Sequence, residues 1–567
     1  MIFLLLYLIS CQSFNTDSNI IHMRSFLITF AFLSGLLSPL IAQESDSIIA
    51  EVTIPENWFN LDPEEDSILG VSTERAYREI LKNKESKNVI VAVIDSGVDV
   101  EHEDLDGSIW TNEDEIAGNG IDDDGNGYID DIHGWNFLGN PDGENIESDS
   151  YELTREYARL MVIYEGEDSL KKRRKNKEEY AYYSKLKKQF LKQKEEAEGE
   201  YQQFSIFKRN YTFATQILKQ YMQSDTLTIE LLSELDEDTA DAQLIEIRNF
   251  YVGLLEHGIT DDQIVEWENH LERQLNYAFN TDFDPRGLVG DDYLNMDEKI
   301  YGNNDVEGPD ASHGTHVAGI IAANRNNNLG IKGVADNVSI MSIRAVPDGD
   351  ERDKDIANAI YYAVDNGAQI INMSFGKSYS PQKEAVDKAV KYAEEKGVLL
   401  VHAAGNSSKN IDKKDNFPTK NFLDTNSTAK LWIEVGASDT GINDKFVGSF
   451  SNYGKTNVNV FAPGCEIKST TPNNEYKSFD GTSMASPVTA GVAALLMSYY
   501  PQLEVAQVKE ILLNSAKRYE NLEVTLPSTN EEKNEKVLFS ELSTTSGIIN
   551  AYEAVKMAES MIIERQN

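Results

Sequence analysis

Cysteine is almost absent from this chain. Of its 567 residues only Cys11 and Cys465 are cysteines, whereas a disulfide framework needs at least four. Cys465 lies in the segment Ala-Pro-Gly-Cys-Glu-Ile, and we interpret it as a small, half-buried residue after a turn rather than as a nucleophile. The fold must therefore be held together by a hydrophobic core, without cross-links.

Basic residues are also scarce. The chain has 52 Lys and Arg against 95 Asp and Glu, a formal net charge of -43. Nucleic-acid binding depends on clustered cations that replace phosphate counterions, so this balance argues against nucleic acid as a partner. An acidic, solvated surface is expected, with structural calcium as the cofactor that such a surface favours and no organic cofactor.

Two apolar segments lie near the N-terminus. Residues 2–10 lack a preceding basic residue, whereas residues 25–42 follow Met23 and Arg24 and end at the small residue Ala42. The second run predicts a secretory signal with Met23 as the true start, and export to the periplasm or outside the cell. A lipid anchor at Cys11 is the alternative, disfavoured because it would leave a complete second signal in the mature protein. No stable membrane span is expected in the mature form.

Three short, glycine-flanked motifs carry reactive side chains. A buried-type apolar run from Val89 ends at Asp95, which is followed by Ser-Gly. His313 lies in Ser-His-Gly-Thr-His-Val-Ala-Gly, and Ser483 lies in Gly-Thr-Ser-Met-Ala-Ser-Pro. Parallel strands place their clefts at the carboxyl edge, and a helix start offers N–H groups without an intrahelical partner. An acid, a histidine and a serine in such places indicate nucleophilic catalysis.

Two rival side chains stand beside these candidates. His316 follows His313 by three residues and lies among apolar neighbours, so we interpret it as a core histidine. Ser486 lies one helical turn after Ser483, and we interpret it as a packing or capping residue.

The motifs resemble those of the subtilisin-like serine proteases, the subtilases, in which the triad follows the chain order Asp, His, Ser. A fourth segment, Ala-Ala-Gly-Asn at residues 403–406, resembles the family's oxyanion-hole segment. The resemblance covers residues 86–143 and 308–517 and leaves the segment between them outside it.

The resemblance implies a role for each residue. His313 would act as base and then as acid, and Asp95 would orient it. Ser483 would attack the scissile carbonyl, and the Asn406 side chain with the Ser483 N–H would receive the oxyanion. The activity implied is that of a secreted serine endopeptidase acting on a protein or peptide substrate.

The resemblance also implies a substrate-binding edge. An extended substrate would add as a strand beside Ser374, Phe375 and Gly376, and Phe375 could favour apolar side chains. The walls of the specificity pocket would be formed by Ala403, Ala404 and Gly405. The pocket floor is not predicted by the sequence, and the side-chain preference stays open.

An acidic loop follows the Asp95 motif. Its oxygen-bearing residues recur at every second position, which lets several oxygens converge on one hard cation. The predicted calcium set is Asp122, Asp124, Asn126, Tyr128 and Asp130. The loop departs from an EF-hand because the twelfth position is His133 rather than glutamate. An acidic, glycine-rich turn without an ion is the alternative.

The organisation of the chain follows from these assignments. We expect a signal region at 1–42, a lead-in arm at 43–87, a peptidase domain at 88–143 and 308–567, and a helical insertion at 144–307. Leu, Ile, Tyr and Phe at spacings of three and four predict amphipathic helices within the insertion. Its role as a lid, a substrate-selecting subdomain or a replacement for a propeptide stays open.

The remaining sequence alternates apolar strand patterns with helical patterns. This predicts an α/β fold with a mostly parallel central sheet and helices on both faces. Two other functions remain open: a catalytically silent protein of this fold that binds peptides or partners through the insertion, and a hydrolase of another ester or amide. An intact triad disfavours the first, and the lack of G-x-S-x-G around Ser483 disfavours the second. The oligomeric state is not predicted.

Overall fold

A computed structural model of the chain describes residues 54–166, 169–235, 240–424, 427–442, 446–528 and 534–566. The predicted signal region, the start at Met23, Cys11 and the beginning of the lead-in arm lie outside these residues. Among the described helices, none combines the length and the apolar character that crossing a bilayer requires.

The described chain divides into two compact units. One comprises Leu153–Phe283, and the other comprises the chain up to Glu152 and from Asp284 onward. The helices, in chain order, are α1 (Thr73–Ala76), α2 (Glu152–Tyr164), α3 (Ser169–Lys175), α4 (Lys177–Met222), α5 (Ile229–Ser233), α6 (Ala242–Glu256), α7 (Asp261–Arg273), α8 (Ser312–Ala322), α9 (Asp353–Asp365), α10 (Lys383–Glu395), α11 (Thr482–Tyr499), α12 (Val505–Asn514) and α13 (Ala551–Gln566).

The larger unit is built on a nine-stranded sheet. Its strands, in spatial order, are β10 (Lys517–Arg518), β13 (Gly547–Ile548), β7 (Val460–Pro463), β6 (Trp432–Ser438), β5 (Leu399–Ala403), β4 (Ile370–Met373), β1 (Val89–Asp95), β3 (Val338–Arg344) and β2 (Gly134–Asn136). Neighbouring strands are parallel except β10 and β13, which are antiparallel. Two hairpins lie outside this sheet: β8 (Ile467–Thr471) with β9 (Glu475–Phe479), and β11 (Glu523–Thr525) with β12 (Lys536–Leu538).

Helices cover both faces of the sheet, which is why most residues of its central strands are apolar. Helices α8 and α11 pack on one face together with α12 and α13, and α9 and α10 pack on the other. A small residue lets α11 pack closely against the loop between α8 and β3. A Cβ on Gly491 of α11 would lie 2.6 Å from the Cβ of Val334 in that loop. The predicted α/β class with a mostly parallel sheet is confirmed, and the starts of α8 and α11 come to the sheet's carboxyl edge.

The lead-in segment has a buried anchor. Trp58 and Phe59 are fully buried, and the Trp58 indole N–H donates to the carbonyl of Glu466 at 3.1 Å. The segment therefore contributes to the core of the larger unit.

The smaller unit is helical and has its own aromatic core. Phe204 and Phe207 of α4 pack against Trp267 and Leu271 of α7. Helices α6 and α7 are separated by a turn in which Gly258 has φ +68°, and a capping box at Thr260 starts α7. The spacing of apolar residues thus predicts the helices here, while the turn chemistry divides them.

Candidate active site

The first part of the candidate site is an Asp–His pair at the end of β1. Asp95 is 1% exposed, and His313 Nδ1 lies 2.6 Å from Asp95 Oδ1. A carboxylate only accepts, so Nδ1 donates. The Ser96 backbone N–H donates to the same oxygen at 2.8 Å. A Cβ on Gly314 would collide with the Gly97 carbonyl, so glycine lets α8 begin directly against the loop after β1.

The pair determines the tautomer of His313. With its proton on Nδ1, the neutral ring presents Nε2 as a proton acceptor. The His313 side chain is 38% exposed, so a substrate can reach this face. A histidine that a buried carboxylate holds in this way can serve as a general base.

His316 is placed differently. It is fully buried, and its Nε2 lies 2.9 Å from the Ile467 carbonyl and 3.0 Å from the Lys477 carbonyl, so Nε2 donates to both. Its ring stacks on Phe479 with 4.3 Å between centroids. Burial lowers the pKa of His316 to about 3, and the ring stays neutral and engaged in the core.

This burial predicts a pH dependence of stability. In the unfolded chain His316 has the usual histidine pKa of ~6.5, whereas in the folded chain its pKa is about 3. At pH values between these two, the unfolded chain binds a proton at His316 and the folded chain does not. The free energy of unfolding should therefore fall as the pH decreases, by about 2–3 kcal/mol from this residue between pH ~7 and ~4.5. Urea unfolding of the wild type and of His316→Gln at the two pH values measures this decrease in the free energy of unfolding. The variant should lose less stability on acidification, while exposed His257→Gln should behave as wild type; equal losses in all three would contradict the prediction.

The candidate nucleophile lies in the first turn of α11 and is tied to the end of β4. The Ser483 hydroxyl donates to the Ser374 carbonyl at 3.0 Å, and the Ser374 hydroxyl donates to the Ser483 carbonyl at 2.8 Å. Asn372 donates through Nδ2 to the Ser374 hydroxyl at 2.9 Å and accepts from the Ser486 hydroxyl at 2.8 Å. Ser486 is thus a buried member of the network that orients the helix start.

The Asn406 amide is held in one orientation. Its Oδ1 accepts from the Thr482 N–H at 2.9 Å and from the Thr482 hydroxyl at 2.8 Å, which turns Nδ2 the other way. A Cβ built on Gly481 would lie 3.3 Å from Asn406 Nδ2 and 3.5 Å from the Ser483 backbone nitrogen. Two N–H donors therefore border one small space beside the serine, as an anion-binding site requires.

The residues expected to bind substrate fall into two groups. Ala403 and Ala404 are buried at the end of β5, and Gly405 follows them with φ +98°. Phe375 is 9% exposed and packs in the core below the sheet, with its ring centroid 6.3 Å from that of His402. The Phe375 side chain therefore belongs to the core and does not project from the sheet edge.

Two supporting residues were not identified from the sequence. Thr482 orients Asn406, and Asn452 holds the loop on which Asn406 lies. The Asn452 Oδ1 accepts from the N–H groups of Ser407 at 3.1 Å and Lys409 at 2.7 Å, and its Nδ2 donates to the Ala404 carbonyl at 2.7 Å. Asn452 is 46 residues from Asn406 in the chain, and no local pattern connects the two.

The acidic loop uses several of its carboxylates to shape itself. Asp122 accepts from the N–H groups of Gly125 at 2.7 Å and Gly127 at 2.9 Å. Asp130 accepts from the N–H of Gly120 at 2.8 Å. The Tyr128 hydroxyl donates to the Lys299 carbonyl, and its ring packs on Trp135. These residues act first as caps and anchors of the turn.

A different set of carboxylates converges beneath the loop. Among the described residues, Glu115, Asp124 and Asp131 bring ligand oxygens within 4.8 Å of one another. Asn126 donates through Nδ2 to Asp124 and Asp131 at 3.0 and 3.1 Å. The structure thus joins Asp124 of the predicted set to two acids outside it. A donor set of carboxylate oxygens fits a hard cation such as Ca²⁺.

A mostly parallel sheet with a buried Asp–His pair and a helix-terminal serine at its carboxyl edge has the layout of an α/β serine hydrolase. The sequence model of the subtilase family matches residues 86–539. This chain therefore belongs to the subtilases, a family of serine proteases.

Two curated relatives show the extent of the likeness. The chain is 42% identical over 218 residues to the thermophilic serine proteinase of Bacillus sp. (strain AK1), which is 38% of this chain and 48% of that protein. It is 41% identical over 207 residues to subtilisin DY of Bacillus licheniformis, which is 36% of this chain and 70% of the relative. The chain thus spans about half the length of the first relative. A solved structure described as proteases from Pseudoalteromonas arctica PAMC 21717 is 28% identical, with a TM-score of 0.36, over 45% of this chain and 78% of that one.

Proposed function

We propose that this protein is a secreted serine endopeptidase with Asp95, His313 and Ser483 as its triad. The observation that carries the proposal is the 2.6 Å bond between His313 Nδ1 and Asp95 Oδ1 at the end of a buried strand. It leaves His313 Nε2 as a base on the same sheet edge as the start of α11. Membership of the subtilase family supports the same reaction class.

The reaction follows from this geometry. Ser483 Oγ attacks the scissile carbonyl carbon while its proton passes to His313 Nε2, and Asp95 stabilises the imidazolium that forms. Asn406 Nδ2 and the Ser483 N–H donate to the oxyanion. The C–N bond then breaks, and the leaving amine takes the proton from His313. Water hydrolyses the acyl-enzyme by the same steps, with His313 again as base and then acid.

One movement precedes the attack. The Ser483 hydroxyl donates to the Ser374 carbonyl in this structure, so it must rotate toward His313 when substrate binds. Such rearrangements between free enzyme and substrate complex are common for catalytic hydrogen bonds. The substrate backbone lies along Ser374–Gly376, with Ala403, Ala404 and Gly405 on the other side of its side chain.

Active-site labelling tests this proposal. The purified full chain is treated with a fluorophosphonate probe, and the labelled peptide is identified by mass spectrometry, with casein hydrolysis measured in parallel. We expect one labelled peptide, containing Ser483, and cleavage of casein. A folded protein that neither labels nor cleaves would overturn the proposal and favour a silent, peptide-binding role.

Export is part of the proposed function. The mass of the mature N-terminal peptide distinguishes cleavage of a signal peptide from a lipid anchor at Cys11. Cleavage after Ala42 leaves a soluble enzyme beginning at Gln43, whereas a diacylated Cys11 would show an anchored one.

We also propose that a calcium ion binds to Glu115, Asp124 and Asp131 and stabilises the acidic loop Asp122–Asp130. The ion would offset the repulsion among the clustered carboxylates, so it would stabilise the fold and take no part in the reaction. We expect excess EGTA to lower the Tm by a few degrees and added Ca²⁺ to restore it.

The variant Asp124→Asn should melt at a lower temperature and lose its response to EGTA. Asp142→Asn, an exposed acid in a neighbouring turn, serves as the matched control and should keep the response. Melting curves that are identical with and without EGTA would remove the site.

A further inference from the structure

The glycines of the two proposed pocket walls, Gly376 and Gly405, both lie against the side chain of Asn416. A Cβ built on Gly376 would lie 2.5 Å from Asn416 Nδ2 and 2.9 Å from Asn416 Oδ1. A Cβ built on Gly405 would lie 3.1 Å from the same Nδ2. The absence of side chains at the two glycines leaves space between the walls, and the amide of Asn416 occupies it.

Asn416 is held in this place by its neighbours. Its Nδ2 donates to the Ala403 carbonyl at 3.3 Å. The next residue, Phe417, pairs with Lys377 through two backbone hydrogen bonds of 2.8 and 2.9 Å, N–H of each to carbonyl of the other. The backbone beside Asn416 is therefore tied to the residue after Gly376. The Asn416 amide therefore forms a fixed boundary at the end of the space between the walls.

We infer that Asn416 restricts the primary specificity pocket to short side chains, with serine and alanine preferred over leucine and phenylalanine at the residue before the scissile bond. This inference rests on the proposed endopeptidase function. A long or aromatic side chain would have to displace the amide from between the glycines and break its bond to Ala403.

The amide also selects for polarity. Of the described residues, none donates a hydrogen bond to Asn416 Oδ1. Asn416 is half-buried, and a substrate hydroxyl can donate to that oxygen, which gives serine an advantage over alanine. Side-chain size and hydrogen bonding are thus set by one residue.

Steady-state cleavage of four peptides that differ only in Ala, Ser, Leu or Phe before the scissile bond tests the inference. In the wild type, kcat/KM for Ser and Ala should exceed that for Phe by about tenfold or more. Asn416→Gly should raise kcat/KM for Phe by about tenfold or more, because the space between the glycines opens. Lys414→Gly, which places a glycine at an exposed position in the same loop, should keep the wild-type profile.

A second variant separates size from hydrogen bonding. Asn416→Leu keeps the branched shape of the side chain and is no smaller, but it removes both the acceptor and the donor to Ala403. It should still discriminate against Phe and should lose the preference for Ser over Ala. The rate of fluorophosphonate labelling checks that each variant has an assembled active site.

Two results would overturn the inference. One is a wild-type enzyme that cleaves the Phe peptide as fast as the Ser peptide. The other is an unchanged profile in Asn416→Gly that labels normally. Failure of the proposed function has a different signature, since the wild type would then neither label nor cleave any of the four peptides.

Discussion

Replacing Ser483 by alanine is expected to abolish covalent labelling by a fluorophosphonate and to lower kcat by several orders of magnitude. The hydroxyl is the group that forms the acyl-enzyme, and without it His313 has no nucleophile to activate. The fold should persist, because the hydrogen bond that the side chain loses, from its hydroxyl to the Ser374 carbonyl, lies at the edge of the sheet rather than in the core. Labelling, kcat on casein and the melting temperature of the same preparation measure the three expectations.

Ser486 provides the comparison for this experiment. It lies one turn further along α11 and is fully buried, with its hydroxyl donating to Asn372 at 2.8 Å. Ser486→Ala should still be labelled at Ser483. Labelling that survives in Ser483→Ala, or that disappears only in Ser486→Ala, would show that the nucleophile has been misassigned.

Replacing Asn406 by alanine is expected to lower kcat by about 10²–10³-fold with little change in KM, a range known from subtilisin itself, a member of this family. The Nδ2 donor acts on charge that develops in the transition state, so its loss affects kcat rather than ground-state binding. Steady-state kinetics on one peptide separate the two constants. A rise in KM at constant kcat would instead indicate that Asn406 binds the substrate in its ground state.

Substitutions of Thr482 test how much the orientation of the Asn406 amide matters for kcat. Its hydroxyl accepts from the Gly405 N–H at 3.0 Å and donates to Asn406 Oδ1 at 2.8 Å. Thr482→Val should lower kcat less than Asn406→Ala does, because the amide remains but one of its two restraints is lost. Thr482→Ser keeps the hydroxyl and should stay close to wild type. Equal activity of Thr482→Val and wild type would show that the backbone N–H of Thr482 alone holds the amide.

Sequence patterns predicted the class of the larger unit and the position of its strand β1. The apolar run that begins at Val89 and ends at Asp95 forms this strand. This prediction succeeds because strands buried on both faces read as near-continuous apolar runs. The β8–β9 hairpin was not predicted. Its second strand, Glu475–Phe479, is mostly exposed and polar, so burial imposes no pattern on it.

The acidic loop shows the limit of spacing as a guide to ligands. Alternation placed oxygens at every second residue, but the structure directs Asp122 and Asp130 to backbone N–H groups of their own turn. Glu115 and Asp131 join Asp124 from either side of the loop. Convergence of oxygens depends on how the turn closes, and a one-dimensional spacing does not specify that.

By itself, the sequence determined the family, the sheet and the residue types that would perform the chemistry, because glycine-flanked motifs and apolar runs are local features. Only the tertiary structure decided which amide enters the space between Gly376 and Gly405, which residues restrain Asn406, and which carboxylates meet beside Asp124. Each of these depends on contacts between segments far apart in the chain. Asn452 and Asn416 reach Gly405 because strands and loops distant in sequence end at one edge of one sheet, and packing rather than local pattern brings them there.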